Sequence, residues 1–156
     1  MEIFRSIAEL EKALGRELGP TDWFPVEQPR VDGFADVTED HQWIHVDPER
    51  GAAGPFGATV AHGFLTVSLI PYFAARLRRI EGARMGVNYG LNRVRFPAPV
   101  RVGSRVRARC TMTELERVDA TTVQLVLHTV IEVDGERKPA CVADLVSRYY
   151  FPADAG

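Results

Sequence analysis

The sequence predicts an α+β domain in which one long, almost wholly apolar helix is wrapped by a curved antiparallel sheet. The helix is indicated by the apolar segment TVAHGFLTVSLIPYFAA at residues 59–75. After residue 86 the hydrophobic period changes from helical to alternating and stays so, which indicates strands. Each of these strand-like segments follows the last through a tight connection, which indicates that the sheet is antiparallel. One apolar helix beside such a sheet is most simply buried by folding the sheet around it.

Residues 1–156 are predicted to form this one domain, because no internal repeat, low-complexity tract or linker divides them. Hydrophobic residues make up 46% and charged residues 26%, the proportions of a soluble globular protein. A net charge of -2 and a pI near 6.1 give no electrostatic footprint for nucleic acid. The apolar segment holds a histidine and a proline and is slightly short for a membrane span, so we expect no membrane partner.

The cellular compartment is predicted from the N-terminus and the cysteines. The opening residues, MEIFRSIAELEKALG, carry early acidic residues and no uninterrupted apolar core, which is not the pattern of a signal peptide. The two cysteines, Cys110 and Cys141, both lie in strand-like segments, as the small hydrophobic thiols of a reduced protein do. We expect a cytoplasmic protein.

The N-terminal half is predicted to be mainly helical. Apolar residues recur at helical spacing over residues 2–18, and Gly19-Pro20 would end that helix. The segment DWFPVEQ at 22–28 predicts a short strand or extended piece. A second, short helix is expected to begin at Pro29. Its inward-facing residues are expected to be Val31, Phe34, Ala35 and Thr38.

The buried helix is expected over residues 63–80, with a bend at Pro71. Alternating strand-like segments then cover residues 87–96, 100–112, 121–133 and 140–151. In the first of them the apolar parity slips between Leu91 and Val94, which indicates a β-bulge. The second places a row of arginines on its polar face: Arg101, Arg105, Arg107 and Arg109.

The segment EDHQWIHVDPE at residues 39–49 holds candidate catalytic side chains. His41 and His45 have the spacing at which a helix offers two imidazoles to one metal ion. The Asp-Pro pair at residues 47–48 is instead a helix start, so the residues before it are predicted to be a connecting segment. A third metal ligand, such as His62, would also have to come from elsewhere in the chain. We therefore expect no metal site.

Asp40 and His45 form the alternative pair. A carboxylate and an imidazole held close together can bind a water and move a proton to or from a substrate carbon, which is general acid/base catalysis. The two residues by themselves also allow a simpler role, with Asp40 as a helix cap and His45 as a buried, hydrogen-bonded histidine.

Gly63 stands where the buried helix begins. Its N–H is an unpaired donor of the first turn, and an oxyanion placed there gains a hydrogen bond and the positive end of the helix dipole. The missing side chain lets a ligand approach the backbone closely, although Gly63 could equally be a packing glycine. An acid/base pair, an oxyanion donor and an apolar cavity suit proton transfer beside a carbonyl.

These residues resemble a known family. The segment TEDHQWIHVDPERGAAGPFGATVAHGFLTVSL at 38–69 is similar to the signature of MaoC-type (R)-specific enoyl-CoA hydratases, in particular their NodN-like branch. RFPAPVRVGSRVRA at 95–108 resembles the strand that follows the helix in that family. Gln42 and Trp43 stand where many members have Asn-Pro, so the Gln42 carboxamide is expected to hold the loop in place of Asn. The motif positions themselves are occupied by Asp40, His45, His62 and Gly63.

The resemblance implies a hot-dog fold, a homodimer, and a hydro-lyase that reversibly adds water to a trans-2-enoyl thioester. The thioester carrier is coenzyme A or acyl carrier protein, and no separate cofactor is expected because coenzyme A is part of the substrate. Asp40 and His45 are then catalytic, with Asp40 favoured as the base and His45 as the proton donor. The oxyanion and substrate-binding residues implied are Gly63, His62 and Gln42.

Two other functions stay open at this point. A hot-dog thioesterase would hydrolyse the thioester, and a non-catalytic subunit would bind acyl thioesters without turnover. The arginine row could bind the phosphates of coenzyme A, but such rows are more often the solvated side of a sheet.

Overall fold

The computed structural model describes residues 1–153 and has the predicted α+β architecture, with helices packed against a curved antiparallel sheet. The helices are α1 (Ile7–Lys12), α2 (Gln28–Thr38), α3 (Trp43–Val46), α4 (Pro48–Ala53), α5 (Gly63–Ser68) and α6 (Ile70–Leu77). The strands are β1 (Glu2–Phe4), β2 (Glu17–Leu18), β3 (Phe24–Pro25), β4 (Arg78–Ile80), β5 (Met85–Arg95), β6 (Arg105–Arg117), β7 (Thr122–Val133) and β8 (Cys141–Tyr150).

The main sheet has the strand order β2-β6-β7-β8-β5, and β3 also pairs with β6. All of these pairings are antiparallel, and β6, β7 and β8 follow one another along the chain, as the tight connections predict. The predicted β-bulge is confirmed, because the register of β5 against β8 shifts between Leu91 and Val94. β5 is an edge strand, and nearly all of its side chains are exposed.

The predicted buried helix is present, but it is two helices that meet at Leu69. Pro71 has no N–H to give to the carbonyl of residue 67, so the break falls just before the proline. Phe73 and Ile70 are almost completely buried against the sheet. The second helix ends at Leu77, short of the predicted residue 80, because the chain turns extended at Arg78 and pairs in parallel with β1.

The prediction of one helix over residues 2–18 was wrong. This stretch contains β1, the short helix α1 and β2. Ser6 begins α1 because its hydroxyl accepts the N–H of Glu9, and Gly15 turns the chain with a φ of 79°. Pairing with β4 and β6 holds both ends of the stretch extended, which periodicity within the stretch does not report.

The second predicted helix is confirmed as α2, with Val31 and Ala35 buried and Phe34 packed against the core. Thr38 is exposed, so its inward assignment was wrong, and its hydroxyl bonds back to the Phe34 carbonyl. No helix within residues 1–153 is both long and apolar enough to cross a membrane.

Candidate active site

The turn between α2 and α4 carries Asp40 and His45 close to the start of the central helix. Glu39 ends α2 in the left-handed conformation, with a φ of 61°, and Asp40 follows with its side chain 52% exposed. A single helical turn, α3, then carries His45 inward, where the residue is only 7% exposed. Asp47 caps α4 by accepting the N–H of Arg50 at 3.0 Å, as the Asp-Pro pair predicts.

His45 is fixed as a neutral imidazole with one nitrogen free. Its Nδ1 lies 2.6 Å from the carbonyl oxygen of Val60, and because a carbonyl only accepts, Nδ1 must donate. Burial lowers the pKa of His45 below its ordinary value, and the neighbouring His62 lowers it further, while the Val60 carbonyl and Asp40 act in the opposite direction. Nε2 therefore keeps a lone pair for an incoming proton.

His62 connects the two members of this pair. It is 2% exposed, and its Nε2 donates to the main-chain oxygen of Asp40 at 2.9 Å. Its ring stacks on that of His45, with ring centroids 3.7 Å apart. It also packs against the ring of Phe34, with centroids 5.0 Å apart. The buried ring of His62 thus contacts both members of the pair.

The separation of the side chains suits a bound water. One ring nitrogen of each histidine and one carboxylate oxygen of Asp40 lie within 4.8 Å of one another. A water that makes two hydrogen bonds of about 2.8 Å at a tetrahedral angle spans roughly 4.5 Å. The structure therefore brings a ring nitrogen of His45 and a carboxylate oxygen of Asp40 to within 4.8 Å, a separation on the scale that one water spans.

The same three residues, Asp40, His45 and His62, are also the candidate metal ligands. A metal takes each imidazole lone pair in the plane of its ring at about 2.0–2.1 Å. The two rings are stacked with only 25° between their planes, so their lone pairs do not converge on one ion. His41, the other half of the sequence pattern, precedes α3 and lies 3.0 Å from Asp36 instead. This geometry does not favour a metal, and its absence stays a prediction.

Gln28 is a site residue that the sequence did not reveal. Its Nε2 donates to the main-chain carbonyl of His45 and to the carboxylate of Asp32, both at 2.7 Å. Its Oε1 accepts the hydroxyl of Thr59, the neighbour of Val60, at 2.5 Å. One amide thus joins α2, α3 and the segment that binds the His45 ring. A lone glutamine at a helix start carries no sequence signal for such a role.

Gly63 is the first residue of α5, so its N–H has no acceptor within the helix. A side chain here would collide with Phe96, whose ring lies 2.8 Å from the Cβ position. The contact with Phe96 favours the packing interpretation. The N–H has no acceptor among the described residues and leaves the oxyanion interpretation open, because the two use different atoms of Gly63.

Gln42 does not hold its loop in the expected way. Its side chain is exposed and makes no capping hydrogen bond to α3, whereas its carbonyl accepts the N–H of His45 at 2.9 Å. Trp43 lies against the guanidinium of Arg50, 4.6 Å from the ring centroid, and against Gly54. The loop is held by Gln28 instead, and substrate contact by Gln42 stays a prediction.

The three arginines of the row that lie on β6 form ion pairs within the chain. Glu132 on β7 accepts from Arg107 at 2.7 Å and from Arg109 at 2.8 Å. Arg105 pairs with Asp134 at 2.5 Å. These contacts favour the interpretation of the row as the solvated side of the sheet.

The comparisons with known proteins agree with this arrangement. Residues 9–134 match the family model described as MaoC like domain. The chain is 52% identical to 3-hydroxyacyl-thioester dehydratase Z of Mycobacterium tuberculosis over 149 residues, which cover 96% of this chain and 99% of that protein. It is 43% identical to nodulation protein N of Rhizobium leguminosarum bv. viciae over 148 residues, covering 94% and 92%. The solved (R)-hydratase from A. caviae involved in PHA biosynthesis superposes with a TM-score of 0.68 at 25% identity, covering 89% of this chain and 96% of that one.

The environment of His45 predicts a titration that can be measured by NMR. We expect its ring to titrate below 6.5, because burial disfavours the charged form. His41 is the internal reference, since the hydrogen bond to Asp36 raises its pKa above 6.5. Between the folded pKa and about 6.5, His45 is protonated in the unfolded chain but not in the folded chain. The free energy of unfolding therefore falls as the pH drops from about 6.5 toward the folded pKa.

The His45→Gln variant should flatten this pH dependence below about 6.5. The His41→Gln variant is the matched control, because a raised pKa acts on stability above that pH and not below it. Urea denaturation of the two variants across this range measures both slopes. An unchanged slope in His45→Gln would contradict the inferred neutral state.

Proposed function

The chain belongs to the MaoC-like domain family, and we propose that it is a hydro-lyase that reversibly adds water to trans-2-enoyl thioesters to give (R)-3-hydroxyacyl thioesters. The predicted resemblance to the NodN-like branch and the hot-dog fold are confirmed by the family match, the relatives and the solved structure. The observation that carries the proposal is the pair Asp40–His45 at a separation that one water spans.

In the hydration direction, the water held by Asp40 and His45 is the nucleophile. Its oxygen bonds to the β-carbon while one of its protons passes to the pair. The electron pair of the double bond moves toward the thioester carbonyl, giving an enolate, and the pair then returns a proton to the α-carbon on the same face. No proton is gained or lost over the cycle, so the pair is regenerated.

The order of the proton transfers follows from the hydrogen bond to Val60. Because His45 is neutral with Nδ1 protonated, its Nε2 can only accept from the water in the resting site. We therefore propose that His45 takes the proton of the water, which reverses the order favoured from sequence. The exposed carboxylate of Asp40 orients the same water and stabilises the imidazolium that forms.

The developing enolate needs a donor at the thioester oxygen, and Gly63 is our proposal for it. The N–H at the start of α5 is preorganised, and it lies next to His62, whose ring contacts both members of the acid/base pair. A fixed donor aimed at charge that appears only in the transition state lowers the barrier without rearrangement.

His62 and Gln28 are proposed as positioning residues. His62 holds the main chain of Asp40, and Gln28 holds that of His45. Their bonds end on backbone atoms of the catalytic residues, so each fixes a position and leaves the reacting side-chain atoms free.

The substrate is proposed to be an acyl thioester of coenzyme A or of acyl carrier protein, with no separate cofactor and no metal. A cytoplasmic location is also proposed. It is supported by the two buried thiols of Cys110 and Cys141, whose pKa values burial raises to about 11. A thiol with a pKa this high is a poor nucleophile near neutral pH.

A homodimer formed along β5 is the proposed assembly. The outer edge of this strand is unpaired in the sheet, and Met85, Tyr89 and Leu91 on it are 44–59% exposed. A long, partly apolar strand edge is an aggregation hazard unless it is covered. An antiparallel contact with β5 of a second copy would be self-complementary about a two-fold axis.

We expect Asp40→Asn and His45→Gln each to lower kcat by at least about 10²-fold, the low end for general acid/base catalysis. The measurement follows both the enoyl absorbance and the release of free thiol from one crotonyl-CoA sample. A hydratase consumes the conjugated double bond and releases no thiol. Chiral analysis of the product should give the (R)-3-hydroxyacyl thioester.

The matched control is His41→Gln, which changes a histidine in the same loop whose side chain is paired with Asp36, and it should keep near-wild-type kcat. Thiol release that matches the loss of absorbance would favour the thioesterase. Binding of the thioester without turnover would favour the non-catalytic subunit. Near-wild-type turnover in a folded Asp40→Asn or His45→Gln variant would exclude the proposed pair.

For the assembly, we expect light scattering to give twice the chain mass of 17.4 kDa. Leu91→Lys should shift the protein toward the monomer, because it buries a charge at the β5 contact. Val118→Lys is the control, since Val118 is as exposed as Leu91 but lies beyond the end of β6. A monomeric wild-type protein would contradict the proposed dimer.

A further inference from the structure

Arg78 is a buried cation with few partners among residues 1–153, and its guanidinium lies 5.5 Å from the centroid of the Tyr149 ring. The residue is 6% exposed, and its Nη2 donates one hydrogen bond, to the hydroxyl of Tyr149 at 3.0 Å. Its Nε is buried without an acceptor. Among residues 1–153 no carboxylate lies within ion-pair distance of it. Glu2, its neighbour across the β1–β4 pairing, bonds to Arg16 instead.

This arrangement is energetically unfavourable in the chain alone. Taking a guanidinium out of water removes several kcal/mol of solvation, which proteins recover by pairing the charge. A neutral phenol hydroxyl satisfies one donor and no charge. A buried arginine without an ion-pair partner indicates that a bound anion neutralises its charge.

Arg78 lines a cavity that is large enough for a small anionic group. The cavity has a volume of about 320 Å³ between α6, β5 and β8, and Arg84 and Tyr149 also line it. None of the described residues that line it is acidic. Two cations with no opposing charge favour an anion inside it.

The cavity continues into a second, apolar one nearer the proposed oxyanion donor. This neighbour has a volume of about 240 Å³ and shares Pro71, Asn88 and Leu145 with the first. It begins at Val67, one helical turn after Gly63. Pro71 is eight residues from Gly63, or roughly 12 Å along the helices at about 1.5 Å per residue. An acyl chain whose thioester oxygen is bound at Gly63 would pass the apolar cavity first and reach the arginines of the larger cavity last.

We propose that the Arg78 cavity binds an anionic group, namely a carboxylate at the far end of the acyl chain, so that the preferred substrates are ω-carboxyacyl thioesters. This inference rests on the proposed hydratase function. A carboxylate accepts charge-assisted hydrogen bonds from a guanidinium, and within residues 1–153 Tyr149 accepts from one nitrogen of Arg78.

Phosphate is the other anion that a thioester substrate could bring. It would reach Arg78 at the end of pantetheine, whose two amides need hydrogen-bond partners along the way. The intervening cavity offers mostly apolar walls from Val67, Ile70, Pro71, Leu91 and Leu145. Such walls fit an alkyl chain, and for that reason the acyl carboxylate is favoured.

The first test uses the wild-type enzyme and needs no mutation. Hydration rates are measured for pairs of trans-2-enoyl-CoA substrates of equal and increasing chain length, one ending in a methyl group and the other in a carboxylate. At the length that reaches Arg78, kcat/KM should favour the carboxylate by at least about tenfold, the factor that one charge-assisted hydrogen bond supplies. Hydration of the methyl-terminated series independently tests the proposed function.

The second test removes the cation. Arg78→Met should lower the ratio of the two kcat/KM values by at least about tenfold. Arg79→Met is the matched control, because Arg79 is the next residue of β4, is 66% exposed and faces Glu81 at 3.7 Å. The control should keep the wild-type ratio. Replacing an uncompensated buried charge by an apolar side chain of similar length should leave the melting temperature equal or higher.

Three results would overturn the proposal. Equal kcat/KM for both series in the wild type excludes a carboxylate site. A lower melting temperature in Arg78→Met with an unchanged ratio assigns Arg78 a purely structural role. Inhibition by inorganic phosphate or free coenzyme A that only Arg78→Met abolishes, with no preference for the carboxylate, assigns the cavity to phosphate. If no enoyl-CoA is hydrated at all, the proposed function fails before this inference is reached.

Discussion

The hydrogen bond from the buried ring of His62 to the main chain of Asp40 is the contact on which the candidate site depends. His62 precedes the first turn of the central helix, so its position is set by the burial of that helix in the sheet. The same ring stacks on His45. The His62 ring thereby contacts both the half-exposed Asp40 and the buried His45, and it connects their loop to the core.

Burial divides the chemistry between the two members of the pair. His45 is kept neutral by desolvation and is given one tautomer by the carbonyl of Val60. Asp40 stays in contact with solvent, with its side chain about half exposed. The pair therefore joins a buried imidazole acceptor to an exposed carboxylate, and water is a ligand that both can bind. Gln28 stabilises this arrangement from the opposite side by bonding the His45 carbonyl.

The arginines show how one residue type serves different ends in one fold. Arg105, Arg107 and Arg109 stand on a solvated face, and acidic residues of the neighbouring strand and turn neutralise them. Arg78 is in the interior, and within residues 1–153 its partner is Tyr149. Sequence alternation placed the first three correctly. The burial of Arg78 is set by the packing of β4 against the central helix, which the sequence does not report. A charge needs a partner because it is buried, and not because of its residue type.

The sequence by itself determined the fold class, the apolar helical segment, the positions of the long strands and the bulge in β5, but not the place of β5 beside β8 at the edge of the sheet. These follow from local periodicity, and each element repeats its pattern often enough to be read. It also predicted the pair Asp40–His45, through the spacing and the resemblance. It failed at residues 2–18, where partner strands override a helical pattern. The tautomer of His45, the roles of His62 and Gln28, and the isolation of Arg78 were decided only by tertiary structure, since each depends on which backbone atom or charge comes within a few ångströms across the fold.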